Sequence, residues 1–189
     1  MNVFCVKWGD KYDRSFVERL RESLKRNLTG DWKFYCYTDK PEKDYDIPVE
    51  YPELRKWWHK LALLKFKGEN LYFDLDIQIN GNIDFLKKDF GTLTLIDSTP
   101  WKTEQDELKF KYNRDTLVNS SIMRWEDQGY IFDKFLSNRN TYLRLYSGID
   151  RWIYNEKIDY KYYDTDKISS WIEKKDNVIV IENGKYINK

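Results

Sequence analysis

Cysteine, histidine and any excess of one charge are scarce in this chain, and each scarcity removes a class of function. Its two cysteines, Cys5 and Cys36, lie in apolar runs far apart, with no metal-ligand spacing and no neighbouring histidine. They read as buried, reduced core thiols, which excludes a disulfide framework. The lone histidine, His59, falls on a helical segment and reads as a half-buried side chain. Lys and Arg total 33 against 32 Asp and Glu, a net charge of +1, so the chain lacks the basic field that draws duplex nucleic acid or anionic membranes. No apolar run approaches the roughly 18 residues that span a bilayer. Met1-Asn2 leads straight into Val3-Phe4-Cys5-Val6 without a basic region, so the expectation is a cytoplasmic protein with no membrane span. There is no glycine-rich basic phosphate loop of the Walker kind, and no repeat, linker or low-complexity tract. A single unit over 1–189, acting on a small ligand, is what remains.

What is present is a globular composition, 41% hydrophobic and 34% charged, with an aromatic share of 17%. Aromatic planes suit sugar rings and nucleobases as well as cores, so they count only where another signal coincides. The short apolar run 3–7 ends at Trp8-Gly9-Asp10 and reads as a buried strand. Asp13 is a suitable N-cap for a helix whose Phe16, Val17, Leu20, Leu24 and Leu28 share a face, stopped at Thr29-Gly30. A second strand over 32–37 closes at Thr38-Asp39. Strand, helix, strand within this span opens a parallel α/β sheet whose ligand edge is the carboxyl end of its strands. Further on, the pattern predicts a helix over 54–66, strands over 71–79, 92–96, 119–125 and 178–181, and helices over 130–136 and 147–155. The charged, weakly periodic stretch 100–115 reads as a mobile loop.

Strand alternation puts Leu71, Phe73, Leu75 and Ile77 on one side and Tyr72, Asp74 and Asp76 on the other. Two unpaired aspartates in mid-sheet would cost several kcal/mol each, so they belong at the strand's carboxyl end, facing a cleft. A hard cation, Mn²⁺ or Mg²⁺, is the natural partner for the pair. Asp-x-Asp alone is common as a surface turn.

The neighbouring blocks add a resemblance. Trp57-Trp58-His59-Lys60-Leu61, then Asn70-Leu71-Tyr72-Phe73-Asp74-Leu75-Asp76 and Gly81-Asn82-Ile83-Asp84, are similar to the GT-A glycosyltransferases of the glycogenin and lipopolysaccharide galactosyltransferase kind. Small bacterial and phage versions with a Trp-Trp-x-Lys-Leu helix before the Asp-x-Asp strand are the nearest in pattern. Asn119-Ser120-Ser121-Ile122-Met123 resembles the family's Asn-Ser-Gly-Val-Met strand. Gly148-Ile149-Asp150-Arg151 resembles its Gly-Asp-Gln segment, and Glu182-Asn183-Gly184-Lys185 its His-Gly-x-x-Lys terminus.

The resemblance implies a single GT-A domain, α/β with a mixed, mostly parallel sheet flanked by helices. It also implies metal-dependent sugar transfer from a nucleotide-diphosphate donor, UDP-linked, with retention, to a glycan, lipid or protein acceptor. By position, Asp74, Asp76 and Asn183 become the metal ligands. Trp8, Gly9, Tyr12, Asp39, Lys60, Asp74, Gly184 and Lys185 become donor contacts, with Trp8 and Gly9 in the nucleoside turn, Tyr12 as a stacking plane and Lys185 over the diphosphate. Asp150 and Asn119 become the catalytic candidates on the acceptor side. Two positions depart from the family pattern: Asn183 stands where it has a metal-binding histidine, and Gly148-Ile149-Asp150-Arg151 lacks its glutamine. These departures leave a rival reading, a GT-A-like module that binds nucleotide sugar or carbohydrate without transferring it.

Overall fold

The computed structural model describes residues 1–88, 90–101, 117–173 and 175–182. Strand β1 (Asn2–Lys7) leads into helix α1 (Arg14–Asn27), followed by β2 (Lys33–Thr38) and the short β3 (Asp46–Pro48). Asp13 caps α1 as expected: its carboxylate accepts from the Ser15 backbone N–H at 2.8 Å, satisfying one of the helix's free donors. Val17, Leu20 and Leu24 are buried along one face, Lys25 and Arg26 complement the dipole in the last turn, and Gly30 (φ 77°) lets the chain turn away. A 3₁₀ turn at Lys56–Trp58 then runs into α2 (His59–Leu63), shorter than the helix predicted over 54–66.

β4 (Glu69–Phe73) and β5 (Ile77–Ile79) correct the expectation of one strand over 71–79. The chain leaves the large sheet at Asp74 and turns before joining a smaller one, because Ile77–Ile79 pairs with a different strand. β6 (Leu93–Asp97) and the long β7 (Val118–Glu126) come next, then α3 (Gly129–Ser137), α4 (Arg139–Leu145), α5 (Ile149–Asn155), β8 (Tyr160–Tyr162), β9 (Ile168–Ser170) and β10 (Ile179–Ile181). The short β3, β8, β9 and α4 carry too few periodic residues to stand out in sequence. From residue 102 on, the stretch expected to be a mobile loop lies outside the described residues.

Among the described residues seven strands form one sheet in the order β3-β2-β1-β4-β7-β6-β8, and β5-β10-β9 form a second. The large sheet is mixed and mostly parallel, as expected: β7 alone runs against its neighbours, antiparallel to both β4 and β6. Its faces bury two cores. Val3, Cys5, Cys36, Leu71, Phe73 and Ile122 point to the α1 side, while Phe4, Tyr37, Tyr72, Met123 and Trp125 point to the side covered by α2, α3 and α5. That period of two, apolar on both faces, is what a helix-flanked sheet demands. Cys5 and Cys36 are in register on β1 and β2, fully buried and unbridged, as expected. Burial and the neighbouring Cys36 push the Cys5 thiol up, so it stays protonated.

Candidate functional site

β1 lies between β2 and β4, so the connection after β1 leads to one side of it and the later return to the other. Parallel sheets open a crevice at such a switch point, beyond the strands' carboxyl ends. A cavity of about 430 Å³ occupies that place, lined among others by Trp8, Gly9, Lys11, Tyr12, Trp57, Lys60, Asp74 and Asp76. Two loops supply most of it: the β1–α1 turn, and the break between β4 and β5.

Asp74 continues the end of β4, its N–H donating to the Ser121 carbonyl at 2.8 Å. Its carboxylate accepts from Lys60 Nζ at 2.8 and 2.9 Å and from the Tyr72 hydroxyl at 2.5 Å. Lys60, buried on α2, also reaches toward the Ser120 carbonyl at 3.4 Å. The Ser120 N–H in turn donates to Asp150 at 3.1 Å. One polar chain therefore runs from Asp74 through Lys60 and Ser120 to Asp150, the first-turn acid of α5. Burial raises the Asp150 carboxyl above the usual aspartate range, and the Lys60 charge opposes the rise.

Asp76 accepts from the Tyr12 hydroxyl at 2.9 Å. Burial first, then the like charge of Asp74, raises its carboxyl above the ordinary value, against the Tyr12 bond and the charges of Lys60 and Lys11. Burial and the adjacent acids hold Tyr12 and Tyr72 as protonated donors, their hydroxyls well above the usual phenol range. Tyr12 thus adds a hydroxyl contact to the stacking plane read from sequence, with Lys11 Nζ 4.7 Å from its ring centroid.

A divalent cation fits this chemistry. Two hard carboxylates share one cavity wall, and the charge of Asp74 raises the cost of ionising Asp76, a penalty that a cation removes. Among the described residues no group of three or more His, Cys, Asp or Glu assembles, so these two would hold the ion with ligands from phosphate and water. A carboxylate has about four lone-pair sites, so Asp74 can keep the Lys60 pair while binding a cation.

The other sequence candidates divide. Gly9, at φ 66°, is held from behind by Asp39, whose carboxylate accepts the Gly9 N–H at 3.2 and 3.3 Å. Asp39 is therefore behind the turn and does not line the cavity. Asn119 turns its side-chain oxygen back onto the Ser121 N–H at 2.9 Å, and neither it nor Asp150 lines the cavity. Asn183, Gly184 and Lys185 lie outside the described residues. His59 is fully buried, deeper than expected, 5.5 Å from the Trp8 ring and 6.2 Å from Tyr37. Burial lowers it to about 4, so it is neutral and serves as a wall.

Lys11, Lys56, Trp57 and Ser120 went unassigned in the sequence reading. Trp57 sits in the recognised Trp-Trp-x-Lys-Leu block, but only the 3₁₀ turn decides which of the paired tryptophans faces the cavity. Tyr72 had a signal, since it alternates onto the side of Asp74 and Asp76.

No protein-family model matches the chain, and no curated protein matches it. Solved structures do. A galactosyltransferase, LgtC, in complex with donor and acceptor sugar analogues, superposes with a TM-score of 0.62 at 13% identity, covering 90% of this chain and 76% of the other. A glycosyltransferase involved in glycosylation of the major capsid of PBCV-1 gives 0.60 at 14%, covering 99% and 98%. Mouse xyloside xylosyltransferase 1 gives 0.60 at 9%, covering 97% and 98%. The expected α/β fold is thereby shown: it is the architecture of GT-A glycosyltransferases.

Proposed function

We propose that this chain is a glycosyltransferase that takes a sugar from a nucleotide-diphosphate donor, UDP-linked, with Mn²⁺ or Mg²⁺ bound by Asp74 and Asp76. One observation carries the reading: the cavity at the β1/β4 switch point gathers both aspartates, Lys60 and the Trp8–Tyr12 turn. Strand-end crevices of this kind hold nucleotides, and the likeness to sugar-transferring enzymes agrees in fold.

When the sugar's bond to the diphosphate breaks, negative charge grows on the leaving phosphate. A divalent cation held by Asp74 and Asp76 would supply Lewis-acid stabilisation of that charge. Lys60 places a buried ammonium against Asp74 and holds that carboxylate at the cavity wall. Tyr12 positions Asp76 through its hydroxyl, a bond that opposes the rise in that carboxyl. The Gly9 turn, fixed by Asp39, offers backbone groups to the nucleoside with no side chain in the way. Asp150 orients the acceptor or stabilises positive charge at the anomeric carbon, with Asn119 nearby on β7. By the resemblance, Lys185 would add positive charge over the diphosphate, Gly184 would allow close backbone approach, and Asn183 would add a neutral oxygen to the metal. Retention follows the families that the sequence resembles.

The internal pairing of Lys60 with Asp74 and of Tyr12 with Asp76 favours one second reading, a donor-binding module without transfer. Calorimetry with UDP, GDP and their sugars, with and without Mn²⁺, followed by hydrolysis and transfer assays, separates the two. Transfer or donor hydrolysis in the presence of Mn²⁺ is the expected outcome, and tight UDP binding with neither supports the module. Asp76→Ala is expected to lower Mn²⁺-dependent UDP affinity at least tenfold, about 1.4 kcal/mol. Unchanged affinity in that variant would sink both readings.

A further inference from the structure

We infer that Trp57 is the platform on which a pyranose ring of the acceptor stacks, so that the acceptor is a glycan or glycoside. This rests on the donor-site reading above. The two adjacent tryptophans are treated differently by the fold: Trp58 is 6% exposed and stacks on Phe135 at 5.3 Å, whereas Trp57 is 42% exposed and lines the cavity with Lys60, Asp74 and Asp76. A half-exposed indole in the wall of a charged cavity leaves aromatic surface open to a ligand.

Its place is set from both sides. Lys56 adopts a left-handed backbone, φ 54°, a conformation that lysine seldom takes and that fixes the entry to the 3₁₀ turn. On the other side the indole packs over Gly148, where a Cβ would come within 3.2 Å of Trp57 Nε1. Gly148 is the N-cap of α5, the helix that carries Asp150. Trp57 therefore bridges the carboxylates of the donor cavity and the helix end bearing the acceptor-side acid.

The chemistry suits a sugar. The axial C–H bonds of a pyranose form an apolar face with polarised hydrogens, which matches the electron-rich face of an indole. Lys56 Nζ lies over the Trp57 ring, 5.3 Å from its centroid, a cation–π contact that also puts a donor within reach of ring hydroxyls.

Nuclear magnetic resonance of the indole N–H groups in the whole chain tests this, with the Trp57 signal identified by its loss in Trp57→Phe. The protein is first saturated with UDP and Mg²⁺, then titrated with methyl hexosides and disaccharides, with a short peptide and with a phospholipid headgroup. At least one glycoside is expected to shift the Trp57 signal saturably. Trp57→Ala is expected to weaken that glycoside roughly tenfold more than it weakens UDP, with Trp57→Phe retaining most of the binding. Gly148→Ala, which pushes on the indole, is expected to weaken it as well. The inference is overturned if UDP binds but only the peptide or the headgroup moves the signal, or if none of the titrants does. Failure of UDP itself to bind would overturn the donor reading and this one with it.

Discussion

His59 shows at the scale of one residue how burial replaces chemistry. Among the described residues neither of its ring nitrogens finds a well-formed hydrogen bond, and the ring is held by Trp8, Tyr37 and a nearby Leu54 carbonyl. Because its folded value, about 4, lies below the ordinary 6.5, the unfolded chain binds the proton first as pH falls. Stability is expected to be fully present above about 6.5 and to fall by up to roughly 3 kcal/mol as pH drops toward 4. His59→Phe, which keeps a ring and removes the titrating group, should flatten this part of the profile. Urea midpoints measured between these limits would show it, and an unchanged slope would assign the acid sensitivity to other groups. The same depth makes His59 unsuitable as a base: it is a wall behind Trp8, as its place on a helix away from any metal spacing suggests. Lys60 is the contrasting case. Its position before the Asp-x-Asp segment was legible, but its partner Asp74, 14 residues later, is contacted only because α2 folds back over the end of β4.

Among the elements, the β1–α1 turn depends on a residue from another strand. Asp39 follows β2, which pairs with β1 residue for residue up to Lys7 and Thr38, and this register carries its carboxylate under Gly9. Asp39→Ala should release the turn and lower UDP affinity severalfold, with little loss in Asp39→Asn, whose amide oxygen still accepts the Gly9 N–H. A donor-binding titration of both variants checks this; equal losses would mean that the negative charge matters more than the bond. The β4–β5 break shows what alternation alone cannot reveal. Asp74 and Asp76 lie on the expected side, yet continuous apolar alternation through Ile79 concealed that Ile77–Ile79 leaves the large sheet for β10. Strand period reports which face a residue takes, while the partner strand is a long-range choice.

For the whole molecule, the two cores are joined by the strands between them. β1, β4 and β7 each contribute apolar residues to both faces, so neither core can be lost while the other keeps its wall. The chain is accordingly proposed to be a single unit, unfolding in one cooperative transition. Coincident denaturation curves from far-ultraviolet circular dichroism and tryptophan fluorescence are expected, and separated midpoints would indicate two units.

The amino-acid pattern by itself determined the α/β class, the first strand, its capped helix, the neighbouring strand and the pairing of Asp74 with Asp76 on one side. These rest on local physics: capping, helical spacing and the two-residue period are written within a few consecutive residues. Tertiary structure alone decided that Lys60 and Tyr12 occupy those carboxylates, that Asp39 works from behind Gly9, and that Trp57 faces the cavity while Trp58 packs inside. Each of those outcomes joins residues from separate elements or turns on a short 3₁₀ segment, and sheet order and helix placement set both.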